Sequence, residues 1–326
     1  MQLTDSTLLS PEQIHLFHDQ GYLVVDDLIP HADLEPVIQE INYEVDWRAK
    51  KLAAKGELSR SFEECGFETR LAKISQETDK IALSIWSGIL HGPAIFHLIA
   101  HPRLLDIAEQ FCGPELIASS VYRLRPKIPN YGYGAVPWHQ DSGYMDPYCD
   151  NNLVLTVWIP LVDATEENGC MWVIPRSHRQ PVLKHKLAAT GNYLEIEEQD
   201  LPEEDRVCCP VGKGGVMLLT NRTVHGSFEN RTPIVRWSMD LRYQNASLPT
   251  NAPITRLPGE IVPSVEQNVP AACYPPEADF LVRSRLRPQE VTRTYEQFRE
   301  IRERPTHGSD PNRFGVKWAP PKNSEI

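Results

Sequence analysis

Apolar residues recur along this chain first at helical spacing and later at strand spacing, and that change of period divides it. Near the start, Ser10-Pro11-Glu12-Gln13 reads as an N-cap, a proline at the first helical position and a glutamine able to close a capping box. Ile14 and Phe17 share one face of the helix that follows, and Gly21 ends it. Tyr22-Leu23-Val24-Val25 reads as a short strand. From 34 to about 54, Val37, Ile41 and Val45 recur at helical spacing; residues 80–112 are apolar and mostly helical up to Cys112-Gly113-Pro114.

From Leu116 the period shortens towards two. Strands are predicted over 116–125, 153–161, 170–174, 215–219 and 234–243, separated by turn formers at Pro129-Asn130-Tyr131-Gly132, Asn168-Gly169 and Gly212-Lys213-Gly214-Gly215. The last reads as a hairpin turn, because it lacks the frame of a phosphate loop. Helices ahead of strands, without β-α-β alternation, point to an α+β protein with an antiparallel sheet or barrel. Prolines at 249, 253, 258, 263, 270, 275 and 276 predict an irregular arm over 249–276. Residues 288–303 read as a late helix with Val291, Tyr295 and Phe298 on one face. We expect one domain over 1–326: a mainly helical part (1–115), a strand core (116–245), and the arm with the last helix (246–326).

Charge and cysteines narrow the function classes. With 33 Lys and Arg against 44 Asp and Glu, the net charge is −11 and no basic run stands out, so nucleic acid and anionic membrane are poor partners. No apolar run approaches the ~18–20 residues of a membrane-spanning helix. The first residues lack the basic and apolar regions of a secretory signal. Seven cysteines without a CxxC pair point to reduced thiols in a cytoplasm rather than a disulfide framework. On that reading the three Asn-x-Ser/Thr triplets at 221, 230 and 245 are chance matches.

The chemistry concentrates in Trp138-His139-Gln140-Asp141. Residues i and i+2 of an extended strand share a face, so His139 and Asp141 can reach one metal ion from one direction. His225, in Thr223-Val224-His225-Gly226-Ser227, would complete a two-histidine, one-carboxylate facial triad for non-haem Fe(II). The predicted strand 234–243 alternates, with Val235, Trp237, Met239, Leu241 and Tyr243 on one face and Arg236, Ser238, Asp240 and Arg242 on the other. That second face either meets water or points into a polar barrel interior while helices cover the apolar one. The strand 153–161 splits alike, with Leu155, Val157, Ile159 and Leu161 opposite Thr156 and Trp158.

In order and spacing, Trp138-His139-Gln140-Asp141, Trp158, the run Asn168-Gly169-Cys170-Met171-Trp172-Val173-Ile174-Pro175-Arg176-Ser177-His178, His225-Gly226-Ser227 and Arg236 resemble the phytanoyl-CoA dioxygenase family of Fe(II)/2-oxoglutarate oxygenases. The resemblance covers about the middle third of the chain. It implies a double-stranded β-helix (jelly-roll) core covered by N-terminal and C-terminal helices. His139, Asp141 and His225 would be the iron ligands, and Arg236 the partner of the distal carboxylate of 2-oxoglutarate. A guanidinium suits that place because its planar fork binds a carboxylate bidentately and stays charged. Ser227 and Ser238 are further candidates for the same carboxylate, Thr156 and Trp158 for the pocket wall, and Gln140 points away from the metal.

What the family's chemistry implies is hydroxylation of an unactivated C–H of a small organic molecule, with O2 consumed and 2-oxoglutarate converted to succinate and CO2. A carboxylate at 141 favours hydroxylation over halogenation. Desaturation, epoxidation or rearrangement at the same iron are alternatives, as is a non-catalytic cupin-like barrel that binds metal or ligand. The family name does not license its namesake substrate. Tyr131, Tyr133, Tyr144 and Met145, in loops that suit a lid, are candidate substrate contacts. Lys127 is either a holder of an acidic group on the substrate or 2-oxoglutarate, or a surface lysine. The last helix could bury its apolar face on a twin subunit in a homodimer.

Overall fold

The Ser10 hydroxyl accepts the Gln13 amide while the Gln13 side chain returns to the Ser10 amide, so α1 (Pro11–Gln20) begins with a closed capping box. Gly21, at φ 83°, takes the left-handed conformation that ends it. In this computed structural model, residues 8–86, 88, 90–119, 122–145, 150–189, 193–248 and 279–303 are described. The proline-rich stretch 249–276 lies outside them.

Strand β1 (Tyr22–Val25) leads into α2 (His31–Ala54), α3 (Phe67–Ile74), α4 (Lys80–Trp86), α5 (Pro93–Ile99) and α6 (Pro102–Cys112). Helix α3 lies in a stretch where no element was predicted. Helix α5 receives its cap from another element: Glu40 of α2 accepts the amides of Gly92 and Ala94 at 3.0 and 2.9 Å.

The strands after the helices are β2 (Leu116–Ala118), β3 (Arg123–Lys127), β4 (Val136–His139), β5 (Val154–Pro160), β6 (Met171–Val173), β7 (Lys186–Leu187), β8 (Leu194–Glu195), β9 (Val207–Cys209), β10 (Val216–Thr220), β11 (His225–Ser227), β12 (Arg236–Asn245) and β13 (Phe280–Arg283). They form two larger antiparallel sheets and a small hairpin. One sheet runs β1-β10-β5-β12-β2-β13, with β3 also on β12; the other runs β4-β11-β6-β9. Mixed helix and antiparallel sheet is the predicted class. Residues 116–125, expected as one strand, form two that pair with different stretches of β12. The glycine-rich turn at 212–215, expected to close a hairpin, instead carries the chain from β9 in one sheet to β10 in the other.

Period-two alternation settles which face of β12 goes where. Val235, Trp237, Met239, Leu241 and Tyr243 are buried in one cluster with Leu155, Val157 and Ile159 of β5 and with Phe17, Ile41, Phe96 and Leu105 of the helices. Burying each such side chain stabilises the fold by roughly 1.5–3 kcal/mol. Trp237 stacks on Phe67 at 5.0 Å and donates its indole N–H to the Phe67 carbonyl. With the apolar face so occupied, the alternate residues of β12 face the other way, towards the second sheet.

Helix α7 (Tyr295–Glu303) is shorter than the predicted 288–303. Its Phe298 has no exposed surface, lying 5.3 Å from Phe96 of α5 and 5.2 Å from Phe280 of β13. The apolar face expected to meet a twin subunit is therefore spent inside this one. Among the described residues, no helix is long and apolar enough to cross a membrane.

Candidate metal centre

His139 ends β4, and directly opposite it in the antiparallel ladder stands His225, which opens β11. Opposed residues share a face, so the two imidazoles meet with ring centroids 4.2 Å apart. Gln140 remains extended (φ −113°, ψ 140°), which turns Asp141 to the same side even though Asp141 has left the strand for a 3-10 turn, Asp141–Tyr144. The ligand atoms of His139, Asp141 and His225 lie within 4.8 Å of one another, all three residues buried. Gln140 turns away, as expected, donating to the Arg222 carbonyl and accepting the Leu183 amide.

Each imidazole faces a backbone carbonyl through Nδ1, His139 to Pro137 and His225 to Thr223, both at 2.8 Å. An Nδ1 that faces a carbonyl carries a proton, which leaves Nε2 as the atom each ring turns towards Asp141 Oδ1, at 3.8 and 3.9 Å. Burial, with His225 close by, holds His139 well below the ordinary histidine range and keeps it neutral. Burial opposes ionisation of Asp141, but the Arg242 guanidinium paired with it outweighs burial and holds the carboxyl well below its usual range. Two imidazoles and one carboxylate on one side of a point fit a facial Fe(II) triad with open positions beyond.

Asp141 has further partners that no short-range pattern revealed. Arg242 donates from Nε to Oδ2 at 3.1 Å and from Nη2 to Oδ1 at 3.0 Å, and Thr156 donates to Oδ2 at 2.7 Å. Arg242 also reaches Asp240, which Arg125 pairs from the other side. Sequence placed Arg242 on the polar face of its strand, but its partner is 101 residues away.

Arg236 is 2% exposed. It donates to the hydroxyls of Ser238 and Ser227, and its guanidinium lies 5.2 Å from the Trp158 ring. Its Nε is buried without a hydrogen-bond partner among the described residues. Burial, reinforced by nearby Arg125, draws Arg236 down to about 9. A buried cation with an idle donor fits a bound carboxylate, and so fits the distal end of 2-oxoglutarate. Ser227 is itself held by donating to the carbonyl of Gly169 at 2.9 Å. Gly169 sits at φ +82°, and a Cβ there would come within 2.5 Å of the Phe228 carbonyl.

The triad, Arg236, Ser227, Thr156 and Trp158 line one cavity between the two sheets. Ser238 reaches it through Arg236. The candidate substrate contacts sit otherwise. Lys127, far from being a surface lysine, is 1% exposed and spends its ammonium on the carbonyls of Ser227 and Phe228. Tyr131 donates to Asp79 at 3.0 Å. Tyr144 lies edge-on to His139 at 5.7 Å, its hydroxyl accepting the Leu194 amide, and Met145 is buried. None of these four lines the cavity among its described walls, and the Tyr133 side chain is outside the described part.

The family model for phytanoyl-CoA dioxygenase matches residues 17–238, most of the chain. The chain belongs to the phytanoyl-CoA dioxygenase family. Its cofactors are accordingly iron and 2-oxoglutarate, and the His-Asp-His cluster is where this member offers a metal three donors. The peroxisomal phytanoyl-CoA dioxygenase of Rattus norvegicus is 24% identical over 73% of this chain and 69% of its own. A probable alpha-ketoglutarate-dependent hypophosphite dioxygenase of Stutzerimonas stutzeri is 27% identical over 72% and 78%. Among solved structures, EctD from S. alaskensis with 2-oxoglutarate and 5-hydroxyectoine superposes with TM-score 0.52 at 22% identity, covering 84% of this chain and 89% of that one. The apo non-heme monooxygenase ThoJ gives 0.54 at 21%, covering 83% of each. These two likenesses show the fold.

Proposed function

We propose that this family member is a hydroxylase that inserts oxygen into an unactivated C–H of a small organic molecule while 2-oxoglutarate becomes succinate and CO2. The convergence of three buried donors beside a buried guanidinium with an idle Nε carries the reading. When bound, the metal supplies the O2 activation that the side chains themselves cannot perform.

The chain's own residues supply placement. His139, Asp141 and His225 hold the metal from one side, and Arg242 with Thr156 keeps the Asp141 oxygens from turning away. Arg236, flanked by Ser227 and Ser238, holds the distal carboxylate of the keto acid, with Trp158 packed against the guanidinium. Apolar wall residues, among them Val136, Met171 and Leu219, help keep water from the reacting centre. We read the paired sheets as a double-stranded β-helix covered by helices, one oxygenase domain over 1–326. A cytoplasmic setting suits the five described cysteines, all free thiols. The solved relatives include an epimerase, SnoN, so the fold also accommodates outcomes other than hydroxylation.

Oxygen uptake that requires both added Fe(II) and 2-oxoglutarate tests the reading. Screening a metabolite extract for a product heavier by one oxygen atom then separates hydroxylation from desaturation. Tight metal binding with no keto-acid-dependent uptake would favour a binding barrel instead.

A further inference from the structure

The described cavity wall carries three guanidiniums, Arg125, Arg236 and Arg242, against two carboxylates, Asp141 and Asp240. A dication on the triad and a dianionic keto acid cancel each other, so among the described residues the loaded site keeps one positive charge in excess. Burying a charge without a counter-ion is costly, and the excess selects for an anion.

Partners and exposure show where the excess lies. Arg242 divides its fork between Asp141 and Asp240 and is nearly buried. Arg236, deeper still, belongs to the keto acid on the reading above. Arg125 must share Asp240 with Arg242, and its side chain is 23% exposed, the most open of the three. It stands opposite Ser238 on the β3–β12 ladder, one alternate position from the Lys127–Arg236 pair, so it projects from the same wall. Its guanidinium lies over Trp86 at 5.2 Å, and the Trp86 indole is fixed by donating to the Pro126 carbonyl at 3.0 Å. Cation and indole thus form a platform with an apolar and a charged part, bordered by Val136 and Gly134.

We propose that Arg125 is an anion subsite for the substrate, which carries a carboxylate or phosphate group that pairs with this guanidinium while its carbon skeleton packs against Trp86. The proposal rests on Arg236 being taken by 2-oxoglutarate. Lys127, the basic residue that sequence put forward for an acidic substrate group, cannot serve, because its ammonium is bonded to two carbonyls.

Four probes of one chain length decide it: hexanoate, hexyl phosphate, hexanol and hexylamine, titrated calorimetrically without oxygen into protein loaded with Fe(II) and saturating 2-oxoglutarate. One of the anions should bind at least tenfold more tightly than the alcohol or the amine, and which one identifies carboxylate or phosphate. Arg125→Ala should lose that preference at least tenfold, and Arg125→Lys should retain part of it, which separates lost charge from lost fold. Keto-acid affinity, followed by the visible absorption of the Fe(II)–2-oxoglutarate complex, should be unchanged in Arg125→Ala. Equal binding of hexanol, absent binding of both anions, an unchanged preference in Arg125→Ala, or a parallel loss of keto-acid affinity would each overturn the assignment. A wild-type chain that shows no such absorption refutes the hydroxylase reading instead, and that result comes from a different signal than the probe titration.

Discussion

Arg242 holds both oxygens of Asp141, Nε on Oδ2 and Nη2 on Oδ1, at 3.1 and 3.0 Å. A carboxylate that ligates a metal must present one oxygen at a fixed angle, and this fork, with Thr156, sets that angle before any metal arrives. Arg242→Leu should therefore weaken Fe(II) binding roughly 10–100-fold, the usual cost of removing a group that orients a ligand. Equilibrium dialysis measures this. Unaltered affinity would reduce the clamp to a structural ion pair, in which case only unfolding would be affected.

For the triad itself, His225→Ala or Asp141→Ala should abolish keto-acid-dependent succinate formation with the fold retained. Circular dichroism and a succinate assay on the same samples check both halves. Full turnover in either variant contradicts the assignment.

Arg236→Ala removes the only described cation that offers an idle donor to the keto acid. Losing one partner of a buried charge pair costs about 2–5 kcal/mol, so the requirement for 2-oxoglutarate should rise by roughly two orders of magnitude. Fe(II) affinity should stay the same. A steady-state titration of 2-oxoglutarate decides, and an unchanged KM would detach Arg236 from the keto acid.

His185 is fully buried, accepting the Gln140 amide at Nε2 and facing the Leu183 carbonyl through Nδ1. Burial lowers it from 6.5 to about 4. Between those values the unfolded chain takes up a proton that the native state refuses. Its contribution is therefore complete above about pH 6.5 and lost as pH falls towards 4, by about 3 kcal/mol at most. His139 shifts in the same direction. Chemical denaturation across that range should show falling stability, with a shallower fall in His185→Gln. A flat profile would show that His185 is not held neutral.

Much of this arrangement was legible because it is local. The cap of α1, the alternation of β12 and the spacing of His139 and Asp141 each depend on residues a few positions apart. The entry of His225 came from a resemblance and from its place in a short apolar-to-polar run. Contacts that close over long sequence separations were not legible: Arg242 on Asp141, Glu40 capping α5, and Phe298 against Phe96. The burial of Lys127 was not legible for the same reason, since it depends on Ser227 and Phe228, a hundred residues further on. Arg125 acquires interest only once Asp240 is seen to be shared.

One strand carries the oxidant's neighbourhood on one side and the protein's cohesion on the other: Arg236, Ser238, Asp240 and Arg242 alternate with Trp237, Met239, Leu241 and Tyr243. A slip of a single residue would exchange the two sets, sending indole and phenol into the cavity and guanidiniums into grease. Inactivation by misregistration and global unfolding are thus one event for this chain. Attempts to retarget it should leave this strand intact and vary the cavity wall at Trp86 and Val136, beside the proposed anion subsite.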